Sequence, residues 1–170
     1  SSTYTPPVST VGTTYYYCVI TQSGLNCGVT SNTAAIIVNP APTFSTQPIA
    51  SQTICLNGTL NPLSVVYQNG TGVPTYQWFS NLANSTSGGT AISGETASSY
   101  APPTNAVGTT YYYVIVTSNC NSVTSTVTTV TVTAPPSAGT LSGTQGICIA
   151  GTSQLATTSS GGTWSSGIPA

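Results

Sequence analysis

Ser99-Tyr100-Ala101-Pro102-Pro103-Thr104-Asn105-Ala106-Val107-Gly108-Thr109-Thr110-Tyr111-Tyr112-Tyr113 restates Thr3-Tyr4-Thr5-Pro6-Pro7-Val8-Ser9-Thr10-Val11-Gly12-Thr13-Thr14-Tyr15-Tyr16-Tyr17. The match runs without a gap from Tyr4 and Tyr100 to the end of the tyrosine run. A stretch that returns at domain-sized spacing marks a tandem repeat. Thr, Tyr and Val favour strands, and the Pro and Gly between them favour turns. Past the tyrosines, Cys27 matches Cys120 if the first copy carries about three extra residues in its hairpin loop, where length varies most freely. A second correspondence links Gln52-Thr53-Ile54-Cys55-Leu56-Asn57-Gly58-Thr59 with Gln145-Gly146-Ile147-Cys148-Ile149-Ala150-Gly151-Thr152. Cys27 to Cys120 and Cys55 to Cys148 are both separations of 93 residues. That period suits a β-sandwich domain.

Proline sets the boundaries. Asn39-Pro40-Ala41-Pro42 and Ala134-Pro135-Pro136 each follow a β-rich run. Proline ends a strand and stiffens a linker. The expected organisation is therefore residues 1–41 as the closing strands of one domain, 42–134 as a complete domain, and 135–170 as the opening strands of another. The two incomplete flanks imply a segment of a much longer chain.

Inside the complete domain, short strands alternate with turn signals. Leu63 to Tyr67 is one expected strand, ended by Asn69-Gly70-Thr71-Gly72, and Thr75 to Ser80 is the next, carrying Trp78. Tyr111 to Thr117 turns at Ser118-Asn119-Cys120-Asn121 into Val123 to Thr133. There Thr124, Thr126 and Thr128 share a face, and after Thr128 the phase flips so that Val130 and Val132 take that face. A phase flip within one strand predicts a β-bulge. No helical period is present. About seven short strands in such a span read as an all-β sandwich.

The composition narrows the chemistry. The 170 residues include no Lys, Arg or His, and Glu95 is the one acidic residue. General acid–base catalysis and metal catalysis need groups that are nearly absent here, so an enzyme is not expected. Nucleic-acid binding needs cations to displace counterions, and attraction to anionic membranes needs the same. No apolar run is long enough to span a bilayer, and no signal peptide is visible at the N-terminus. Ten Tyr, two Trp and many β-branched residues argue against disorder. None of the five cysteines forms a Cys-x-x-Cys pair, and no His completes a zinc site, so no cofactor or metal is expected. A disulfide role in an oxidising compartment is the better reading.

Trp78 in an early strand, facing a late strand written Gly-Thr-Thr-Tyr-Tyr-Tyr-Val, resembles the C and F strands of immunoglobulin-like domains. Tyr112 resembles the corner tyrosine. Val114 occupies the position that holds cysteine in antibody domains, and Cys18 stands there in the first copy. The string Gln-Thr-Ile-Cys-Leu-Asn-Gly-Thr, Tyr-Gln-Trp, Val-Gly-Thr-Thr-Tyr-Tyr-Tyr and Ser-Asn-Cys resembles the Ig-like and PKD-like repeats of giant surface adhesins in Bacteroidota. Pro-Ser-Ala-Gly-Thr-Leu-Ser-Gly-Thr with Gly-Gly-Thr-Trp-Ser-Ser resembles a related Ig-like repeat of the same proteins. The resemblance implies tandem Ig-like sandwiches in a long, secreted, cell-surface chain, exported by the type IX system and serving gliding motility or biofilm adhesion. It also implies a Cys55–Cys120 disulfide, which would close a long loop worth ~3–5 kcal/mol in the chain-entropy model. Cys27 and Cys148 would bridge within their own domains, to residues outside this sequence. For Cys18, a bridge to Cys27 and a core thiol both stay open.

Other candidates have plainer readings. Trp78 and Tyr112 are expected in the core, with Tyr111 and Tyr113 on the outer face of the sheet, because alternate strand residues face opposite sides. An exposed aromatic pair would instead favour a carbohydrate-binding module array on a secreted enzyme, with surface glycans as partners. Glu95 alone satisfies neither glycoside hydrolysis nor a calcium site. Asn57-Gly58-Thr59, Asn69-Gly70-Thr71 and Asn84-Ser85-Thr86 match the glycan acceptor pattern in an Asn-, Ser- and Thr-rich chain. Strand edges without Lys or Glu guards favour self-association with neighbouring repeats or chains.

Overall fold

The computed structural model describes residues 2–24, 27–143 and 146–165. Thr144, Gln145 and Ser166, which carry parts of three of the motifs above, lie outside the described residues. The fold is all-β, and no helix occurs among the described residues.

The first segment contributes two ladders. β1 (Gly12–Tyr16) pairs antiparallel with β4 (Ala34–Val38), and β2 (Val19–Gln22) with β3 (Cys27–Thr30). The central segment builds two layers. Its strands are β5 (Thr43–Thr46), β6 (Ser51–Cys55), β7 (Leu63–Ser64), β8 (Val66–Gln68), β9 (Thr75–Asn81), β10 (Thr90–Ala91), β11 (Ser99–Tyr100), β12 (Gly108–Thr117), β13 (Ser122–Thr124) and β14 (Thr128–Thr133). The larger layer is a six-stranded sheet in the order β10-β9-β12-β14-β6, with β13 also on β12. The smaller layer is the run Leu63–Gln68, flanked by β11 on β7 and by β5 on β8. The expected single strand from Leu63 to Tyr67 is thus broken at Val65, whose N–H donates to the Ser98 carbonyl at 3.0 Å. In the last segment β15 (Leu141–Ser142) pairs with β16 (Ala156–Thr157).

The chain changes layers between β5 and β6. Pro48 is buried at the crossing and cannot donate to a ladder, so the strand on β8 has to stop there. β6 then runs parallel to β14, with Ser51 opposite Thr129 and Cys55 opposite Thr133.

Alternation places the core. Leu63 and Val65 from the smaller layer meet Trp78, Tyr112, Val114, Val116 and Val130 from the larger one, with Tyr100 between. The bulge is present, but its position differs from expectation. Val123 and Ser125 lie on the inner side, and Thr128, Val130 and Val132 are buried on that same side. The flip therefore falls between Ser125 and Thr128 and not after Thr128. The cause is Ser125. Its N–H donates to the Val114 carbonyl at 2.9 Å, and its hydroxyl accepts the Val114 N–H at 3.0 Å. One side chain thereby replaces a ladder carbonyl, and Gln47 Oε1 accepts the displaced Thr126 N–H at 3.0 Å.

Thr128 is fully buried, and its Oγ1 has no hydrogen-bond partner among the described residues. A buried hydroxyl left unmade costs about 1–3 kcal/mol. Thr128→Val keeps the β-branched shape and removes that cost. The variant is expected to gain about 1 kcal/mol or more in urea unfolding, on the same basis. A loss of stability would show that the hydroxyl is satisfied.

Candidate functional site

The aromatic candidates lie in the core and on the outer face of the large sheet, and Cys55 and Cys120 at the two poles of the central segment. Trp78 is fully buried. Its Nε1–H donates to the Ala97 carbonyl at 2.9 Å, so the one polar atom of the indole is satisfied. Tyr100 packs 5.8 Å from the indole and 5.6 Å from Tyr112, ring centre to ring centre. Burial, with Tyr112 and Glu95 nearby, pushes the Tyr100 hydroxyl up to about 12. Burial also raises Tyr112, against a smaller lowering by the Thr110 hydroxyl. Both phenols are thereby protonated at physiological pH, and both rings pack in the core.

On the opposite face of the sheet the outcome departs from expectation. Tyr113 does face away from Tyr112, yet it is only 3% exposed. The segment after β9 folds over it. Phe79 stacks on its ring at 5.0 Å with planes 2° apart. Gly89 fits here because a Cβ would sit 2.7 Å from the Tyr113 hydroxyl. Tyr113 is covered and Phe79 half-buried, so the pair is not an exposed aromatic platform. Tyr111 is half-buried. Neither Phe79 nor Gly89 was distinguishable from an ordinary strand or loop residue in the sequence.

Glu95 lies half-buried in the turn after β10, its N–H donating to the Ile92 carbonyl at 3.2 Å and its carbonyl accepting the Trp78 N–H at 3.1 Å. Among the described residues no three His, Cys, Asp or Glu side chains gather around a metal-sized space. Asn57 and Asn69 both take φ of 62°, the left-handed turn conformation that Asn tolerates. Asn69 Nδ2 also donates to Thr43 Oγ1 at 2.9 Å, so this side chain pins the first strand of the sandwich. Asn84 sits in an exposed loop.

The cysteines require a correction. Cys55 and Cys120 are not joined; both are free and exposed, as are Cys18, Cys27 and Cys148. Cys55 ends β6 opposite Thr133, and the next residue, Leu56, donates to the Thr133 carbonyl at 2.9 Å. This is the pole where the chain leaves the sandwich, beside the Gly108 end of β12. Cys120 lies in the turn beyond the Thr117 end of β12. Ten strand residues separate the two ends, a span of about 30 Å at 3.3 Å per residue. A disulfide needs Cα atoms within about 7 Å. The physical reason is the parallel pairing of β6 with β14: it carries Cys55 toward the C-terminal pole, whereas the β12–β13 turn lies at the N-terminal pole.

The N-terminal pole is tied together by polar contacts. The Gly70 N–H donates to the Pro40 carbonyl at 3.2 Å, and the Asn119 N–H to the Thr71 carbonyl at 3.0 Å. Thr71 Oγ1 and Cys120 Sγ are 2.8 Å apart. The Cys120 thiol therefore sits beside the point where the chain arrives from residues 1–41.

Residues 1–41 reproduce the closing strands of the sandwich in detail. Gly12 pairs with Val38 as Gly108 pairs with Val132. The Ser31 N–H donates to the Cys18 carbonyl at 2.9 Å, and Ser31 Oγ accepts the Cys18 N–H at 2.9 Å, the same bulge that Ser125 makes with Val114. Tyr4 and Tyr16 lie 5.6 Å apart, as do Tyr100 and Tyr112. Between these anchors (Cys18 to Ser31 against Val114 to Ser125) the first hairpin is two residues longer, and from the tyrosine run to the cysteine it is three longer. The turn after Cys55 recurs after Cys148. Ala150 takes φ of 64°, and the Gly151 N–H donates to the Cys148 carbonyl at 2.9 Å, matching Gly58 on Cys55 at 2.8 Å. The sequence carried a signal for the bulge that the repeat alignment passed over: Val29-Thr30-Ser31 answers Val123-Thr124-Ser125.

A family model described as Domain of unknown function (DUF8696) matches residues 45–134, the span from within β5 to one residue past β14. The chain belongs to this family. Its DUF8696 region contains the buried Trp78, Tyr100 and Tyr112, both Cys55 and Cys120, and the Phe79–Tyr113 stack. No curated protein matches the chain.

Proposed function

We propose that this chain is a non-enzymatic structural or adhesive segment of a long secreted cell-surface protein, built of Ig-like sandwiches in tandem. Its work is mechanical: reach, display and cohesion in an extracellular filament or adhesin stalk. The observation that carries the reading is the recurrence of one hairpin, with the same register, the same serine bulge and the same tyrosine contact, on either side of a proline linker. Repeats of this kind stack neighbours into quasi-one-dimensional arrays. The covered Phe79–Tyr113 stack removes the main support for the carbohydrate-binding alternative. Conversely, the outer edge of β6 carries Ser51, Thr53 and Cys55 exposed and no charged residue, so nothing there repels a neighbouring copy.

Cohesion between such surfaces has little to screen or titrate. Assemblies of the full chain are therefore expected to keep their length in electron micrographs from low to molar salt and from acid to neutral pH. They should show beads about one domain apart. Dissolution by salt alone would refute cohesion by uncharged surfaces.

A further inference from the structure

Four of the five cysteines, all but Cys18, fall into a repeating pattern. The first hairpin carries a thiol at the start of its return strand, Cys27, and the second carries one in its turn, Cys120, while Cys55 and Cys148 each open the turn that follows β6 or its counterpart. In the central sandwich these two positions lie at opposite poles. The Cys55 pole is where the chain departs, one residue before Ala134-Pro135-Pro136. The Cys120 pole is where the chain arrives, through Asn39-Pro40-Ala41-Pro42.

We infer that the thiols join successive repeats pole to pole, the C-terminal-pole cysteine of one repeat to the N-terminal-pole cysteine of the next. This rests on the tandem reading above. The geometry at the first linker supports it. Val38 is the counterpart of Val132, so Asn39 is the counterpart of Thr133. A Cys55-type residue in that repeat would therefore pair with Asn39, as Cys55 pairs with Thr133. From Asn39 one peptide bond leads to Pro40. The Pro40 carbonyl accepts the Gly70 N–H at 3.2 Å, and the adjoining Thr71 holds Cys120 Sγ at 2.8 Å. The path between the two cysteines is one strand spacing, two peptide steps and two hydrogen-bonded contacts, at most about 20–25 Å between Cα atoms by standard dimensions. The inference requires the linker to bring the two Cα atoms within the roughly 7 Å that a disulfide allows. Within one sandwich no comparable movement exists, because β12 holds the poles apart.

The chemistry balances with an ordinary oxidant. One cysteine thiolate attacks a disulfide-bearing oxidant, either a small-molecule disulfide or a thiol oxidoreductase, to give a mixed disulfide and one released thiol. The second cysteine thiolate attacks the mixed disulfide, forming the inter-repeat S–S bond and releasing the other thiol. Two electrons and two protons pass from the cysteine pair to the oxidant. The product bypasses each proline linker with a covalent clip, so tension no longer runs through the linker alone.

The test uses the full secreted chain, a mixture of isotope-labelled and unlabelled protein, with free thiols blocked by N-ethylmaleimide at harvest. Trypsin has no site in this sequence, so chymotrypsin cleaves the unreduced, denatured protein before mass spectrometry. Cys55 and Cys120 peptides are expected unlabelled by maleimide and each linked to a cysteine peptide from another repeat. Isotope mixing tells whether that repeat belongs to the same chain or a second one. In Cys120→Ser, Cys55 should stay protected while a thiol of a different repeat becomes labelled. Labelling of Cys55 in that variant, a Cys55–Cys120 peptide from one molecule, or full labelling of both thiols in the parent chain overturns the inference. Failure of the tandem reading shows separately, as loss of a protease-resistant core spanning residues 43–134.

Discussion

Trp78→Ala is expected to unfold the central sandwich, with the largest stability loss of any single truncation in this chain. The indole is fully buried, contacts Tyr100, and has its N–H satisfied by the Ala97 carbonyl. Truncating a buried aromatic costs about 3–5 kcal/mol, and the orphaned carbonyl adds to that. A domain of this size holds about 5–15 kcal/mol in all, so little stability remains. Far-UV circular dichroism in urea measures it. The transition should move to much lower urea or vanish. Trp164→Ala is the control: Trp164 is 60% exposed, and its removal should leave the transition in place. Equal midpoints for the two variants would place the core elsewhere.

The sequence made the central core legible because the determinants are local and repeated. Period-two alternation put Tyr112 on the face opposite Tyr111 and Tyr113, and the resemblance to immunoglobulin-like C and F strands set Trp78 and Val114 toward the core. What it left open involves relationships across the fold. Cys55 and Cys120 flank a domain in sequence, but their separation depends on β6 pairing in parallel with β14, and strand direction leaves no mark on residue order. Tyr113 was expected at the surface from alternation alone. Alternation assigns a face and says nothing of what a loop lays over it, and Gly89 is a weak signal for such a cover. The bulge was foreseen from a phase flip, yet its position follows from one serine replacing a ladder carbonyl. Ser31 shows that the device belongs to the repeat and is not an accident of one copy.

The chain's response to pH should be as one-sided as its composition. With one carboxyl group and no histidine in 170 residues, nothing drives acid unfolding in the usual way, through native carboxylates that must be protonated or buried histidines that must charge. The alkaline side differs. Tyr100 is neutral in the core, and burial raises it to about 12 from the ordinary 10.0. Below about 10 the phenol is protonated in both folded and unfolded chains, and its full contribution to stability is present. As pH rises further, the unfolded chain releases the proton while the folded chain retains it, so each step favours unfolding. The contribution is lost as pH passes through about 12, and the raised Tyr112 acts in the same direction. Circular dichroism followed against pH should therefore show a flat signal from acid to neutral and a cooperative loss in strong base. Tyr100→Phe keeps the ring and removes the ionisable oxygen, so its alkaline midpoint should lie higher than that of the parent chain. The difference between the two isolates Tyr100 from the exposed tyrosines Tyr4, Tyr15 and Tyr17, which both chains share. An unchanged alkaline midpoint in Tyr100→Phe, or a transition in acid, would mean that the buried tyrosines do not govern stability against pH.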